Sequence, residues 1–576
     1  MESLRKSLKK SLLNFSSLSK VALVASSTLF FVACASKKEF TEQDSMGMTE
    51  VATEQDHRVA SSTNRISRNQ DKKDSKNNAN YDYAASEEEY YSVDDQISQN
   101  TEEYQKQIEN KFIQSLKEPL STFSIDVDNA SYSNARRFIQ SGQLPNPDAV
   151  RIEEFINYFD YDYKKPTGKH PFSVSTEIST APWNEKHKLV HVGIQGKDLD
   201  YDNLAPSNLV FLIDASGSME AQNKLPLLRS SLKLLLTQLS SKDRIAIVAY
   251  AGAAGLVLES TPATETDKII KALDAVSSGG STAGGAGIQL AYSLAKDNLI
   301  KEGNNRVILC TDGDFNVGVN SAKDLVTMIE TKRNDGIYLT LCGFGMGNYK
   351  DHQMEELSNA GNGNYFYIDN IQEAKKVFVT QMRATLFTIA KDVKIQIEFN
   401  PAKVAAYRLI GYENRMLAKE DFNDDKKDAG ELGAGHTVTA LYEIIPVGVK
   451  SEFFPSVDDL RYQKEDSKIK ESYTAAASSD ELLNLKLRYK KPDENTSNLI
   501  VSPLKDENIK LEKTSDNFRF SAAVAEFGMI LRNSEFKSNA SYNQVISLAK
   551  AAKGKDTEGY RLEFLKLVES CQLMSK

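Results

Sequence analysis

Asp214-Ala215-Ser216-Gly217-Ser218 follows directly on the apolar run Leu209-Val210-Phe211-Leu212-Ile213. One carboxylate and two hydroxyls therefore fall on the loop at the end of a buried strand. These are hard oxygen donors, suited to Mg²⁺ or to another divalent cation such as Mn²⁺ or Ca²⁺. Two more oxygen-bearing residues stand downstream where such a site would need them. Thr282 lies in Gly279-Gly280-Ser281-Thr282-Ala283-Gly284, just before a predicted helix, and Asp312 follows the run Val307-Ile308-Leu309-Cys310-Thr311. Each fragment alone is ordinary turn chemistry. The signal is that all three occur in order, each at a predicted strand or helix end.

Those residues need a scaffold. From 207 to about 388 continuous apolar strands (Leu209–Ile213, Arg244–Tyr250, Leu256–Ser260, Arg306–Cys310, Tyr338–Gly343, Tyr365–Ile368) alternate with amphipathic helices. That pattern argues a doubly wound, mainly parallel α/β sheet. Ligands of such sheets bind beyond the carboxyl ends of the strands, at the topological switch point. If the strand order is 3-2-1-4-5-6, the first and fourth strands flank that point. Asp214, Ser216, Ser218, Thr282 and Asp312 could then converge on one ion.

The combination resembles the von Willebrand factor type A (VWA) family, whose metal-ion-dependent adhesion site (MIDAS) is DxSxS, a Thr and an Asp on a later loop. The resemblance implies that Ser216 and Ser218 ligate through their hydroxyls and Thr282 directly or through water. Asp214 and Asp312 would lie close to the ion, often through water. Neutral hydroxyls leave the ion's charge incompletely offset, so a partner's Asp or Glu is the expected last ligand. Outside this segment, Phe123-Ser-Ile-Asp126-Val-Asp128-Asn-Ala-Ser-Tyr132, Asp148-Ala-Val-Arg-Ile-Glu-Glu-Phe-Ile-Asn-Tyr-Phe-Asp160 and Asp428-Ala-Gly-Glu-Leu-Gly-Ala-Gly-His436-Thr-Val-Thr-Ala-Leu-Tyr-Glu443 resemble the flanking modules of YfbK-like bacterial lipoproteins. The implied architecture is a VWA (Rossmann-like) domain flanked by a β-sandwich-like module and a C-terminal helical segment.

The N-terminus reads as an address. Arg5, Lys6, Lys9, Lys10 and Lys20 precede a short apolar stretch, Val21 to Ala33, and Phe31-Val-Ala33-Cys34 is similar to a lipobox. The expected boundaries are a lipoprotein signal peptide at 1–33, a disordered tether at 34–100 from lipidated Cys34, and an N-terminal module at 101–171. Strands at 172–206, the VWA domain at 207–388, a β-rich module at 389–515 and helices at 516–576 follow. The strands at 172–206 are expected to join the later β module, which makes the α/β domain an insertion. The spacing predicts a helix over Glu102–Leu116, and turn and cap roles rather than calcium binding for Asp126 and Asp128. Within Arg151–Asp160, Ile152, Phe155, Ile156 and Phe159 share one face of an amphipathic helix.

Several classes are disfavoured. Formal charge is −9 with no basic block, a poor match to nucleic acid. The glycine-rich stretch lacks the Gly-Lys-Ser/Thr of a P-loop, so no nucleotide is expected. His187 and His191 have no third ligand for zinc. Cys310 and Cys342 fall in strand-like runs as buried thiols. No GxSxG, HExxH or Cys/His pairing stands out, so no enzyme is expected. The expected function is a cell-envelope protein, anchored by lipid in the outer membrane, that binds a partner's carboxylate through a metal ion. The alternatives are a scaffold with a vestigial metal site and a metal-assisted hydrolase.

Overall fold

The computed structural model describes residues 102–576 apart from 201–203, 281–283, 314, 316–321 and 454–472. The proposed signal peptide, Cys34, the tether and Thr282 lie outside the described residues. Before the α/β segment come β1 (Ile113–Gln114), β2 (Leu120–Ser124), β3 (Phe172–Ala181) and β4 (Asn184–Gly196). Within it are β5 (Ser207–Asp214), β6 (Arg244–Tyr250), β7 (Ala254–Pro262), β8 (Asn304–Thr311), β9 (Ile337–Phe344) and β10 (Tyr365–Ile368). After it follow β11 (Thr388–Phe399), β12 (Val404–Ile410), β13 (Gly430–Gly433), β14 (Thr437–Pro446), β15 (Glu481–Lys490) and β16 (Asn498–Lys505).

The central sheet has the order β10-β9-β8-β5-β6-β7. All its pairings are parallel except β6 with β7. β5 and β8 are buried along their whole length because helices cover both faces. Side chains alternate between two cores: Leu209, Phe211 and Ile213 enter one, Val210 and Leu212 the other. The sheet switches direction between β5 and β8, and Asp214 and Asp312 stand at the carboxyl ends of these two strands.

β3 and β4 do join the later strands. One sheet runs β1-β12-β14-β4-β3, and a second runs β13-β11-β15-β16 with β2 also on β11. Phe123, Val190, Ile194, Ile395, Tyr442 and Leu485 share a single core between them. The α/β segment is therefore inserted in a β-sandwich between β4 and β11. The C-terminal helices Asp516–Leu531, Tyr542–Ala551 and Tyr560–Met574 pack with the short helix Ile152–Asn157 in another core. That short helix is buried on every side, Glu153 and Glu154 included, rather than amphipathic. Arg151 makes this tolerable for Glu154 by ion-pairing with it.

Two buried arginines, Arg136 and Arg151, join the N-terminal module to the inserted domain, and the half-buried Arg415 ties that module to the later β module. Arg136 meets Asp369 at 2.5 Å and Glu373 at 2.8 Å, and Arg151 meets Asp351 at 2.5 Å. Arg415 meets Asp126 at 3.0 Å and Asp128 at 3.3 Å. Asp126 and Asp128 are thus ion-pair partners, and Asp128 also accepts the Tyr365 N–H at 2.8 Å; neither caps the helix Ala130–Gln140. Glu102–Leu116 is not a helix: it runs extended, with a bridge from Glu103 to Lys350 and β1 on β12. Its polar, evenly spread residues lack an apolar stripe long enough to hold a helix against pairing with an open sheet edge. Among the described residues no helix is long and apolar enough to cross a membrane.

Candidate functional site

Asp214 ends β5 with its side chain fully buried. Its Oδ1 accepts the Ser216 N–H at 2.9 Å, closing the turn that brings both serines back over the strand end. Its Oδ2 accepts two hydroxyls at 3.1 Å each, Tyr250 from β6 and Thr311 from β8. Burial keeps the Tyr250 phenol protonated and hence a donor. Thr311 Oγ1 in turn accepts the Gly313 N–H at 3.2 Å, which orders the loop carrying Asp312.

Ser216 is buried and Ser218 exposed, with their hydroxyl oxygens 3.0 Å apart. Ser218 sits on the 3₁₀ turn Gly217–Glu220, anchored by fully buried Met219. Asp312 is fully buried. One of its oxygens, Oδ2, accepts the Lys224 ammonium at 2.7 Å, while Oδ1 has no hydrogen-bond partner among the described residues. Desolvation pushes the Asp214 carboxyl above its ordinary range. The neighbouring Asp312 charge acts in the same direction, and the Ser216 and Thr311 hydrogen bonds oppose it.

Four of the sequence-derived residues, Asp214, Ser216, Ser218 and Asp312, thus come together at the switch point. Thr282 lies outside the described residues, but the backbone leading to it is held on the same loop. Gly279 N–H donates to Ala215 O at 2.8 Å, and Gly217 N–H to Gly280 O at 3.2 Å. Gly280 adopts φ +84°, and a Cβ there would lie 3.1 Å from Gly252 N, so glycine meets both the conformational and the spatial demand.

Among the described residues no three His, Cys, Asp or Glu side chains are arranged to hold a metal. An ion at this site would therefore depend on hydroxyl oxygens. The donor set fits one: a buried carboxylate oxygen with no partner among the described residues, and a pair of serine hydroxyls on the neighbouring strand-end loop, suit a hard divalent cation. Lys224, Tyr250 and Thr311 were not singled out from the sequence. Thr311 adjoins Asp312 in a hydrophobic run, and Lys224 precedes an apolar helix; such placements carry a local signal only once strand order is known.

His187 and His191 serve the sandwich. His187 Nδ1 is 2.5 Å from Glu443 Oε1, whereas His191 Nε2 is 2.9 Å from the Tyr163 hydroxyl. Burial drives His191 down to about 4, so it is neutral. Cys310 and Cys342 face one another across β8 and β9 as free buried thiols.

The von Willebrand factor type A domain family matches residues 208–380. A second family, described as von Willebrand factor, matches 98–191, and the C-terminal family of uncharacterized protein YfbK matches 384–574. Uncharacterized protein YfbK of Escherichia coli (strain K12) is 46% identical over 476 residues, 81% of each chain. An uncharacterized Synechocystis protein is 28% identical over 202 residues, 34% of this chain and 46% of its own. Among solved structures, a von Willebrand factor type A protein from Catenulispora acidiphila aligns over 70% of this chain and 91% of its own, at 14% identity and a TM-score of 0.37. With the curated relative covered along most of its length and separate family matches on both sides of the α/β segment, the chain belongs to the YfbK family of VWA-domain proteins.

Proposed function

We propose that this VWA domain, a protein-interaction module by family, binds its partner through a divalent cation, Mg²⁺ in the first instance. Ser216, Ser218 and Thr282 would supply hydroxyl oxygens, and Asp214 and Asp312 the nearby negative charge. The ion would bring an incompletely neutralised positive centre to the protein surface. An Asp or Glu side chain of the partner is the group that meets it. The observation that carries this reading is the fully buried Asp312 Oδ1, which has no hydrogen-bond partner among the described residues. A buried acceptor left unmade costs about 1–3 kcal/mol, more for a charged group. A cation bound nearby would offset that cost. Ser218, on the loop after the adjacent strand β5, is exposed to solvent.

We place the protein in the cell envelope, tethered by lipid at Cys34, on the lipobox-like Phe31-Val-Ala33-Cys34. The direct test is calorimetric titration of Mg²⁺ into the wild type and into Asp312→Ala, followed by capture from envelope extract in Mg²⁺ and in EDTA. Saturable Mg²⁺ uptake that Asp312→Ala loses, with a partner released by EDTA, is the expected result. Wild-type protein that takes up no divalent ion, or a partner held equally in EDTA, would end this reading.

A further inference from the structure

The metal site carries its own cation. Lys224 Nζ lies 2.7 Å from Asp312 Oδ2, and the lysine side chain is only 9% exposed. Lys224 immediately precedes the helix Leu225–Leu236, where aligned peptide dipoles disfavour a positive charge. A lysine buried there needs a compensating anion, and Asp312 is the one it meets.

The fold also makes room for its stem. Gly345, just past the end of β9, has φ +76°. A Cβ at that position would come 2.2 Å from Lys224 Cε and 2.5 Å from Cγ. The lysine stem therefore packs directly on Gly345, and a side chain at 345 would have to displace it. A surface lysine that met Asp312 by chance would need no such gap.

We propose that Lys224 is a positioning residue that sets the charge of the metal site. It neutralises one of two buried carboxylates, so that Asp214 alone remains uncompensated. This deepens, and rests on, the metal-dependent reading above. Two consequences follow from charge alone. The site withstands the absence of metal because only one buried charge is then unbalanced. When a divalent ion binds, its net charge with Asp214 and Asp312 stays positive by virtue of Lys224. An external carboxylate is then attracted more strongly. Lys224 thus trades metal affinity for affinity toward the partner's acid group.

The test uses the full chain with Mn²⁺ as the metal probe and acetate as the carboxylate probe. Lys224→Gln keeps a donor for Asp312 but removes the charge, whereas Lys224→Arg keeps the charge. Lys224→Gln should bind Mn²⁺ at least about tenfold more tightly by calorimetry. It should hold acetate on the Mn²⁺-loaded protein more weakly, followed through the Mn²⁺ electron paramagnetic resonance signal. Its thermal midpoint without metal should fall and recover more in Mn²⁺ than the wild type's. Lys224→Arg should track the wild type.

A folded Lys224→Gln with unchanged or weaker Mn²⁺ affinity would overturn the proposal while leaving the metal site standing. Wild-type protein that takes up no Mn²⁺ would remove the metal-dependent reading itself, and this proposal with it. If Lys224→Gln folds only when Mn²⁺ is supplied, the proposal is supported. If neither it nor Lys224→Arg folds with or without Mn²⁺, Lys224 is a packing residue and the proposal fails.

Discussion

Two buried tyrosines flank the same core and allow a controlled comparison. Tyr250 and Tyr292 are both fully buried and belong to one hydrophobic cluster. The Tyr250 hydroxyl donates to Asp214 Oδ2 at 3.1 Å. The Tyr292 hydroxyl has no hydrogen-bond partner among the described residues. Replacing either by Phe removes one oxygen and leaves the ring in place, including the edge-on contact of Tyr250 with Phe315 at 5.7 Å. A hydrogen bond to a charged group contributes about 1.5–3 kcal/mol. Because Thr311 still serves Oδ2, Tyr250→Phe should cost the lower end, about 1.5 kcal/mol. Tyr292→Phe removes a polar group that is desolvated without return. It should be neutral or stabilise by up to about 1 kcal/mol. The same chemical change thus separates the variants by about 2 kcal/mol, or about 4–8 °C in melting temperature for a domain of this size. Urea and thermal unfolding followed by circular dichroism measure it. Tyr250→Phe should also weaken Mg²⁺ uptake about tenfold, as loss of a group orienting a metal-site carboxylate does, while Tyr292→Phe leaves it unchanged. Equal shifts in the two variants, or a Tyr250→Phe as stable as the wild type, would refute the claim that Tyr250 holds Asp214.

Other outcomes follow from the same structure. Asp214 has its folded-state carboxyl raised, chiefly by burial, so in metal-free protein its contribution to stability is present at acid pH and is lost as pH rises through the folded value. A bound cation favours the carboxylate, so the Mg²⁺-induced rise in melting temperature should be larger at pH 7 than at pH 4.5, by differential scanning fluorimetry; a pH-independent rise would contradict this. Glu526 is fully buried on the helix Asp516–Leu531, and burial pushes it up to about 8 from 4.5. Its contribution is fully present below pH 4.5 and lost by about pH 8. Glu526→Gln, which can still accept the Ser541 N–H, should therefore melt higher than the wild type at pH 9 and match it at pH 4.5. Arg151→Met strands Asp351 and Glu154 in the interior and should cost about 3–5 kcal/mol, read by urea unfolding; a loss under about 1 kcal/mol would show that the pair is not structurally important. Cys34→Ser should shift the protein from the membrane to the soluble fraction of lysed cells, and unchanged fractionation would remove the proposed lipid anchor.

The central sheet was legible because its strands are continuous apolar runs bounded by loop residues, and that pattern arises when helices cover both faces. The order of its strands entered only as a condition, 3-2-1-4-5-6, and the observed order β7-β6-β5-β8-β9-β10 meets it. β13 and β16 were not foreseen, for a reason visible in their burial. β16 alternates half-exposed and exposed residues, including Leu499 and Val501, and Pro503 interrupts it as only an edge strand allows. β13 is four residues long with glycine at both ends, so its place is set by pairing with β11 rather than by propensity. The ion pairs of Arg136, Arg151 and Arg415 join residues up to 427 positions apart, as Arg136 to Glu563 does. No local pattern can announce such contacts, and the same holds for Lys224 with Asp312.

Those long-range contacts give the architecture its functional logic. Glu102, the first described residue of the N-terminal module, accepts the Gly347 N–H at 2.9 Å and pairs with Arg137 at 2.9 Å. Gly347 lies in the loop after β9. Two residues before it, Gly345 borders the Lys224 stem; two residues after it, Tyr349 packs against Gly313 beside Asp312. A Cβ at Gly313 would lie 2.8 Å from Tyr349 Cα, so the two loops have no slack between them. The N-terminal module therefore grips the loop that supports both the cation and the acid of the candidate site. Because packed loops with no free volume transmit displacement rather than absorb it, a pull on the segment entering at Glu102 would act on the surroundings of Asp312 through three contacts.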